Sequence, residues 1–358
     1  MERKVKKRRG GRGSQRKGHR RGLAAVVVVA VVVVVLLIGV GACVLLPFTA
    51  GTTTTYIYIS PEDTTLAAVT AQVDTVAPLP ARHGLRLLAA VTGYGRHPRQ
   101  GRYAAAPGES TLTVFRRMRN GTQAPVRLTI PSVRTKQRLA AYLGRCLMTD
   151  SASLCRVLSD SVVCRQYGCD TLTVISLFLP DTYEVFWDIS PDKLLERMAA
   201  ESAHFWQGER EDKARELGLT PTEVVILAGI VEEETNNSSE KATVAGMYYN
   251  RLLAGMPLQA DPTVKYALGD FSLRRIRRGM LTVDSPYNTY INTGLPPGPI
   301  RIATKESIDA VLNMERHDYI YMCAKEDFSG THNFAVTYAE HLANARRYAA
   351  ALDKRGIR

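Results

Sequence analysis

Beyond its first 22 residues the chain carries almost no net charge, with 36 basic against 33 acidic side chains. That balance excludes nucleic acid as a partner read from bulk charge, since binding phosphate backbones needs a concentrated surplus of Lys and Arg. There is no phosphate-cradling glycine loop followed by Lys and Ser/Thr, and no Gly-x-Ser-x-Gly nucleophile turn. His317, His332 and His341 lack the close Cys, His or carboxylate spacing of a zinc site, so no metal and no cofactor is expected. Repeats and low-complexity segments are also missing outside one basic tail and one valine run.

Those two exceptions lie side by side. Residues 1–22 hold 11 Lys and Arg against a single acid, Glu2. Residues 23–46 contain no charged side chain and eleven valines. As a helix this run is about 36 Å long, enough to cross a hydrocarbon core of about 30 Å with some tilt. Valine favours strands in water, but in lipid a single segment satisfies its backbone only as a helix. The basic flank predicts an N-terminus in the cytoplasm and a chain lying outside it from Pro47 onward. An uncleaved single-pass anchor is the reading; lipidation at Cys43, in Val40-Gly41-Ala42-Cys43, is the alternative. Cys146, Cys155, Cys164 and Cys169 fall within 24 residues with no histidine among them. Outside the membrane that cluster predicts one or two disulfides of open connectivity rather than a metal site.

Further along, 51–60 reads as a strand, 64–73 and 85–91 as helices. A strand–turn–helix–strand pattern follows over 101–131, with Leu112, Phe115 and Met118 at helical spacing and Val126, Leu128 and Ile130 alternating. Two helices are expected over 135–147 and 153–163, a strand over 172–179, and one long helix over 191–217. A buried strand is expected at 319–323. The composition change near Asp170 predicts a domain boundary there, separating an N-terminal region (47–169) from a domain over 170–358.

The stretch around which that domain is organised is Pro221–Thr235. Thr220 is a plausible N-cap with proline at the first helical position, and residues 224–231 are apolar on nearly every side. Such a helix runs through a core. Val224, Leu227, Val231 and Glu234 share one stripe, so Glu234 leaves the core on its buried side. Desolvation there favours the protonated acid, a proton donor near neutral pH. Downstream come short loops fixed by Pro and Gly and rich in Tyr, Asn, Gln and Asp, residue types that stack on pyranose rings and satisfy their hydroxyls.

Ile230-Val-Glu-Glu-Glu-Thr235, Asn250-Arg251-Leu252, Gly255-Met256, Leu258-Gln-Ala-Asp-Pro-Thr-Val264, Tyr287-Asn-Thr-Tyr290 and Gly294-Leu-Pro-Pro-Gly298 occur in order. Together they closely resemble the endolytic murein transglycosylases of the YceG-like (MltG) family, from about Leu172 to the C-terminus. The 101–131 pattern more weakly resembles the LysM-like subdomain that precedes the catalytic domain in such enzymes. The resemblance implies an α+β protein: a single N-terminal transmembrane helix, a small LysM-like α/β subdomain, then a mixed α+β catalytic domain built around the buried helix. It implies a periplasmic enzyme on the inner membrane that cuts the bond after N-acetylmuramic acid in nascent peptidoglycan strands without water. The product end is a 1,6-anhydro sugar, strand elongation is terminated, and peptidoglycan synthases are candidate partners.

Carried onto this sequence, the catalytic acid is Glu234, followed by Thr235, with Glu232 as the rival assignment. Gln259, Asn288 and Tyr290 would orient sugars, and Tyr287 would stack or hydrogen-bond, with a core position as its alternative. Asn250, Arg251 and Asp261 would contact substrate or brace the residues that do. His332 completes the set, with a structural hydrogen bond as its other reading. The pattern departs from the family at Ile175 and Ser176, where Glu-Gly is common, at Glu233, where Lys or Arg is common, and before Ser307, where Pro-Gly is missing. Two rivals remain: a muramidase pairing Glu234 with Asp261 or Glu240, and a non-catalytic glycan-binding scaffold.

Overall fold

The structure, a computed structural model, describes residues 13–62, 64–273 and 275–356, with side chains from residue 23. Residues 1–12 of the basic tail lie outside the described residues. The chain divides into two compact units, Met1–Pro125 and Val126–Arg358.

The first unit begins with helix α1 (Gly13–Leu45), whose apolar Leu23–Leu45 segment has a mean hydropathy of 3.5 and is long enough to cross a membrane. Strand β1 (Thr55–Ile59), helices α2 (Leu66–Val76) and α3 (Leu79–Thr92) and strand β2 (Gly101–Ala105) follow. β1 and β2 pair antiparallel with Ile57 opposite Tyr103. Alternation places Ile57, Ile59, Tyr103 and Ala105 inward, and α2 and α3 add Val69, Val73, Ala81 and Leu85 to the same core. Helix α4 (Thr111–Asn120), capped by Ser110 and stopped by Gly121, closes it with Phe115 and Met118.

The second unit opens with strand β3 (Val126–Thr129), helices α5 (Lys136–Cys146), α6 (Ser151–Val157) and α7 (Ser161–Gln166), and strand β4 (Thr182–Val185). β3 pairs antiparallel with β4. Two expectations change here. The strands flanking α4 belong to different sheets, so 101–131 is not one strand–helix–strand unit; the small two-layer unit is β1-α2-α3-β2. The boundary falls at Pro125 rather than near Asp170, because the β3–β4 ladder ties residues after 126 to the C-terminal part. The helix expected over 153–163 splits in two, with Asp150 and Asp160 each capping a separate start. All six cysteines are free thiols. Cys146, Cys155, Cys164 and Cys169 pack around one core as small apolar side chains instead of forming the expected disulfides. Burial pushes the Cys169 thiol up to about 12.

The apolar run at 172–179 forms a short 3-10 turn, Val174–Leu177, not a strand. The long helix expected over 191–217 is two, α8 (Pro191–Trp206) and α9 (Glu209–Glu216), broken at Gly208, whose φ of 77° is left-handed. Helix α10 (Pro221–Glu234) starts on a reciprocal Thr220–Glu223 capping box and is buried from Val224 to Val231. Around it stand α11 (Lys241–Leu253), α12 (Asp261–Leu268) and α13 (Lys305–Leu312). An antiparallel pair, β5 (Tyr321–Ala324) and β6 (His332–Ala335), and helix α14 (Tyr338–Lys354) complete the unit. β5 is half-buried rather than buried.

Candidate active site

Helix α10 ends where its apolar sequence ends, at Glu234, and the chain turns away in extended conformation at Thr235. The Glu234 carboxyl opens into a polar cavity of about 320 Å³ that is also lined by Tyr248, Arg251, Gln259, Asp261, Tyr290 and His332. Burial pushes the pKa of Glu234 up to about 7. A hydrogen bond from Tyr248 pulls it down, and the charge of Asp261 pushes it up. Tyr248 Oη donates to Glu234 Oε1 at 2.6 Å. The group therefore keeps its proton to an unusually high pH for a glutamate, with one oxygen fixed, beside space for a ligand.

Opposite, Asp261 is the first residue of α12 and is exposed. Tyr290 Oη donates to Asp261 Oδ1 at 2.7 Å. Gln259 holds a left-handed backbone (φ 53°) and is pinned by its N–H to Thr289 O at 3.0 Å. That conformation is uncommon for a residue other than glycine. It leaves the Gln259 side chain exposed to the cavity. On the β6 side Glu240 accepts from His332 N at 2.7 Å and lies 3.3 Å from His332 Nδ1. A carboxylate there holds a proton on Nδ1 and leaves Nε2 as the free ring nitrogen.

Arg251 lines the cavity but is only 7% exposed, and the protein itself uses its donors. Nε donates to Ile320 O at 2.6 Å, and Nη1 to Leu258 O at 2.8 Å and Gln259 Oε1 at 3.3 Å. It fastens the 257–259 loop to the start of β5. Burial lowers its pKa from the usual guanidinium value.

Four residues expected at the sugar are engaged elsewhere. Glu232 accepts from Thr304 N and Oγ1, both at 2.7 Å, and from Ser132 Oγ at 3.1 Å. A carboxylate so fully occupied fixes the start of α13, and Glu232 does not line the cavity. Asn250 Nδ2 donates to His317 O and Tyr319 O. Asn288 is fully buried, donating to Leu281 O and Val283 O and accepting from Tyr290 N. Tyr287 packs on Tyr266, ring centroids 4.6 Å apart, and does not line the cavity. These side chains shape the loops that carry the lining residues. Glu233, unusual in charge, receives Arg134 at 2.6 Å and Arg301 at 2.9 Å, so the reversed sign has its own counter-ions.

Tyr248 had escaped the sequence reading. It and Tyr249 are adjacent on α11, and no local pattern says which faces Glu234; Tyr249 Oη instead donates to Leu217 O at 2.7 Å.

Residues 58–347 match the YceG-like family. The chain is 39% identical over 132 residues to an endolytic murein transglycosylase of Bacillus subtilis, covering 37% of this chain and 36% of that protein. It is 30% identical over 152 residues to an endolytic murein transglycosylase of Streptococcus pneumoniae, covering 40% and 27%. The chain thus spans about a third of the length of these relatives. A crystal structure of a putative yceG-like protein from Listeria monocytogenes aligns over 82% of this chain and 99% of its own, with a TM-score of 0.53 and 24% identity, a likeness of fold. With the family matched over residues 58–347, the chain belongs to the YceG-like family.

Proposed function

We propose that the protein is an endolytic peptidoglycan lytic transglycosylase, anchored by α1 in the inner membrane with the chain after α1 on the periplasmic face. The observation that carries the reading is a single one: a carboxyl group whose pKa is raised to about 7, at the wall of a polar cavity. Protonated Glu234 donates to the leaving glycosidic oxygen as positive character grows at C1 of N-acetylmuramic acid. The resulting carboxylate accepts the proton of that sugar's C6 hydroxyl, whose oxygen closes on C1. Bond and proton are thereby balanced without water, and holding the hydroxyl close makes the attack intramolecular. One carboxyl suffices where a hydrolase needs two. Gln259, Tyr290 and His332 orient the sugars, and Asp261 acts through Tyr290. The outcome for the cell wall is termination of nascent strands, beside the synthases that make them.

Asp261 on the same cavity supports one second reading, a muramidase in which it serves as base. Glu240 is less suited, being held by His332 and Thr235. Mass analysis of products from undigested glycan strands tests both. Anhydro ends from the wild type and none from Glu234→Gln are expected. Reducing ends would replace the lyase by the hydrolase, and equal cleavage by the variant would sink both.

A further inference from the structure

Helix α3 is apolar on two faces. One face packs into the core of the first unit through Ala81, Leu85 and Ala89. The other carries Leu79, Leu87 and Val91, exposed by 64%, 39% and 78%, at i, i+8 and i+12 on one side of the helix, with the exposed His83 at i+4 between the first two. An exposed apolar stripe of this kind marks a contact surface. The position of α1 says what covers it. α3 crosses α1 so closely that a Cβ on Gly84 would stand 2.0 Å from Cys43 O. Beside that contact the two helices line a wedge of about 490 Å³, bounded by Val35, Leu36, Gly39, Val40 and Cys43 on α1 and by His83 and Leu87 on α3.

The depth of this wedge follows from the length of α1. Its apolar segment is Leu23–Leu45, 23 residues, and a hydrocarbon core of about 30 Å takes about 20. Arg20 and Arg21 stand directly before it. Any 20-residue window inside the segment contains Val35 to Val40, so these residues lie among acyl chains in every register. Side chains packed beside them lie at the same depth.

Resting on the anchor reading above, we propose that the α1–α3 wedge holds an acyl chain of a membrane phospholipid and that the outer face of α3 is embedded in the distal leaflet. The first unit is then seated in the bilayer rather than hung above it. Apart from the His83 imidazole the wedge walls are apolar, which fits a hydrocarbon chain and disfavours a polar ligand.

The test uses the full chain reconstituted in phospholipid vesicles containing a phospholipid brominated on its acyl chains, a contact quencher of indole. Leu87→Trp and Val91→Trp are compared with the wild type, whose own Trp187 and Trp206 belong to the second unit. Val91 is the more exposed site and the safer one for folding. The fluorescence added by each variant is expected to fall by at least half. If it is quenched no more than the wild-type signal although the vesicles float with bound protein, the seating is wrong; a second protein helix filling the wedge would give that result. If the wild type itself fails to float with vesicles, the anchor reading falls first.

Discussion

Glu234 keeps its proton near neutral pH because the end of α10 lies among protein rather than water, and the cost falls on the ionised form. The proposed cleavage needs the protonated acid, so the rate should fall as pH rises through about 7, read from initial rates on isolated strands. The Tyr248 hydroxyl favours the carboxylate. Tyr248→Phe removes it, and the alkaline limb of the profile should move to higher pH, whereas a merely structural tyrosine would lower the rate without moving the limb. Stability changes with pH in the same direction. Folded Glu234 binds its proton up to about 7 and an unfolded glutamate only up to 4.5, so stability is lost as pH rises through that window. Glu234→Gln has no charge to bury. It should melt above the wild type at pH 8, by up to about 3 kcal/mol, and level with it at pH 4, checked by thermal denaturation.

At the scale of elements, the cavity depends on how α11 meets the segment before β5. A Cβ at Gly246 would stand 2.5 Å from Glu315 O and 2.9 Å from His317 Nε2. Backbone cannot yield as a flexible side chain does. Gly246→Ala should therefore cost about 1–3 kcal/mol. For a unit of this size that is a fall of several degrees in Tm. Arg251→Ala leaves buried carbonyls of the 257–259 loop and Ile320 without their donor, at about 1–3 kcal/mol for each group left dry. Activity should drop with it, since Gln259 loses its bracket. Arg251→Lys, a single-point donor, should restore little. Elements whose signals are local were legible: the N-cap at Thr220 with proline behind it is written within two residues. The 172–179 run was not, because alternation alone cannot separate a strand from a tight apolar turn.

For the whole molecule, the apolar segment and the stripe on α3 act together. Deleting residues 1–45 should leave a chain that alkaline carbonate washes from membranes, while the full chain stays in the pellet. The truncated chain should still need detergent to remain dispersed, because Leu79, Leu87 and Val91 stay exposed. Light scattering with and without detergent reads this directly.

The sequence alone determined the membrane-length helix, the buried helix over 221–234, the glutamate that ends it and the resemblance to one family. Each depends on periodicity, caps or unbroken runs, which act between residues a few positions apart. Only tertiary structure decided which polar side chains reach the cavity. Asn250, Asn288 and Glu232 have the same chemistry as Gln259 and Asp261, yet their partners are protein groups, 67 to 100 residues distant for Asn250 and Glu232 and within its own loop for buried Asn288. The pairing of Tyr248 with Glu234, of Glu240 with His332 and of β3 with β4 was likewise settled by long-range packing. A hydrogen-bonding group takes whatever partner the fold brings within 3 Å, and no spacing along the chain encodes that choice.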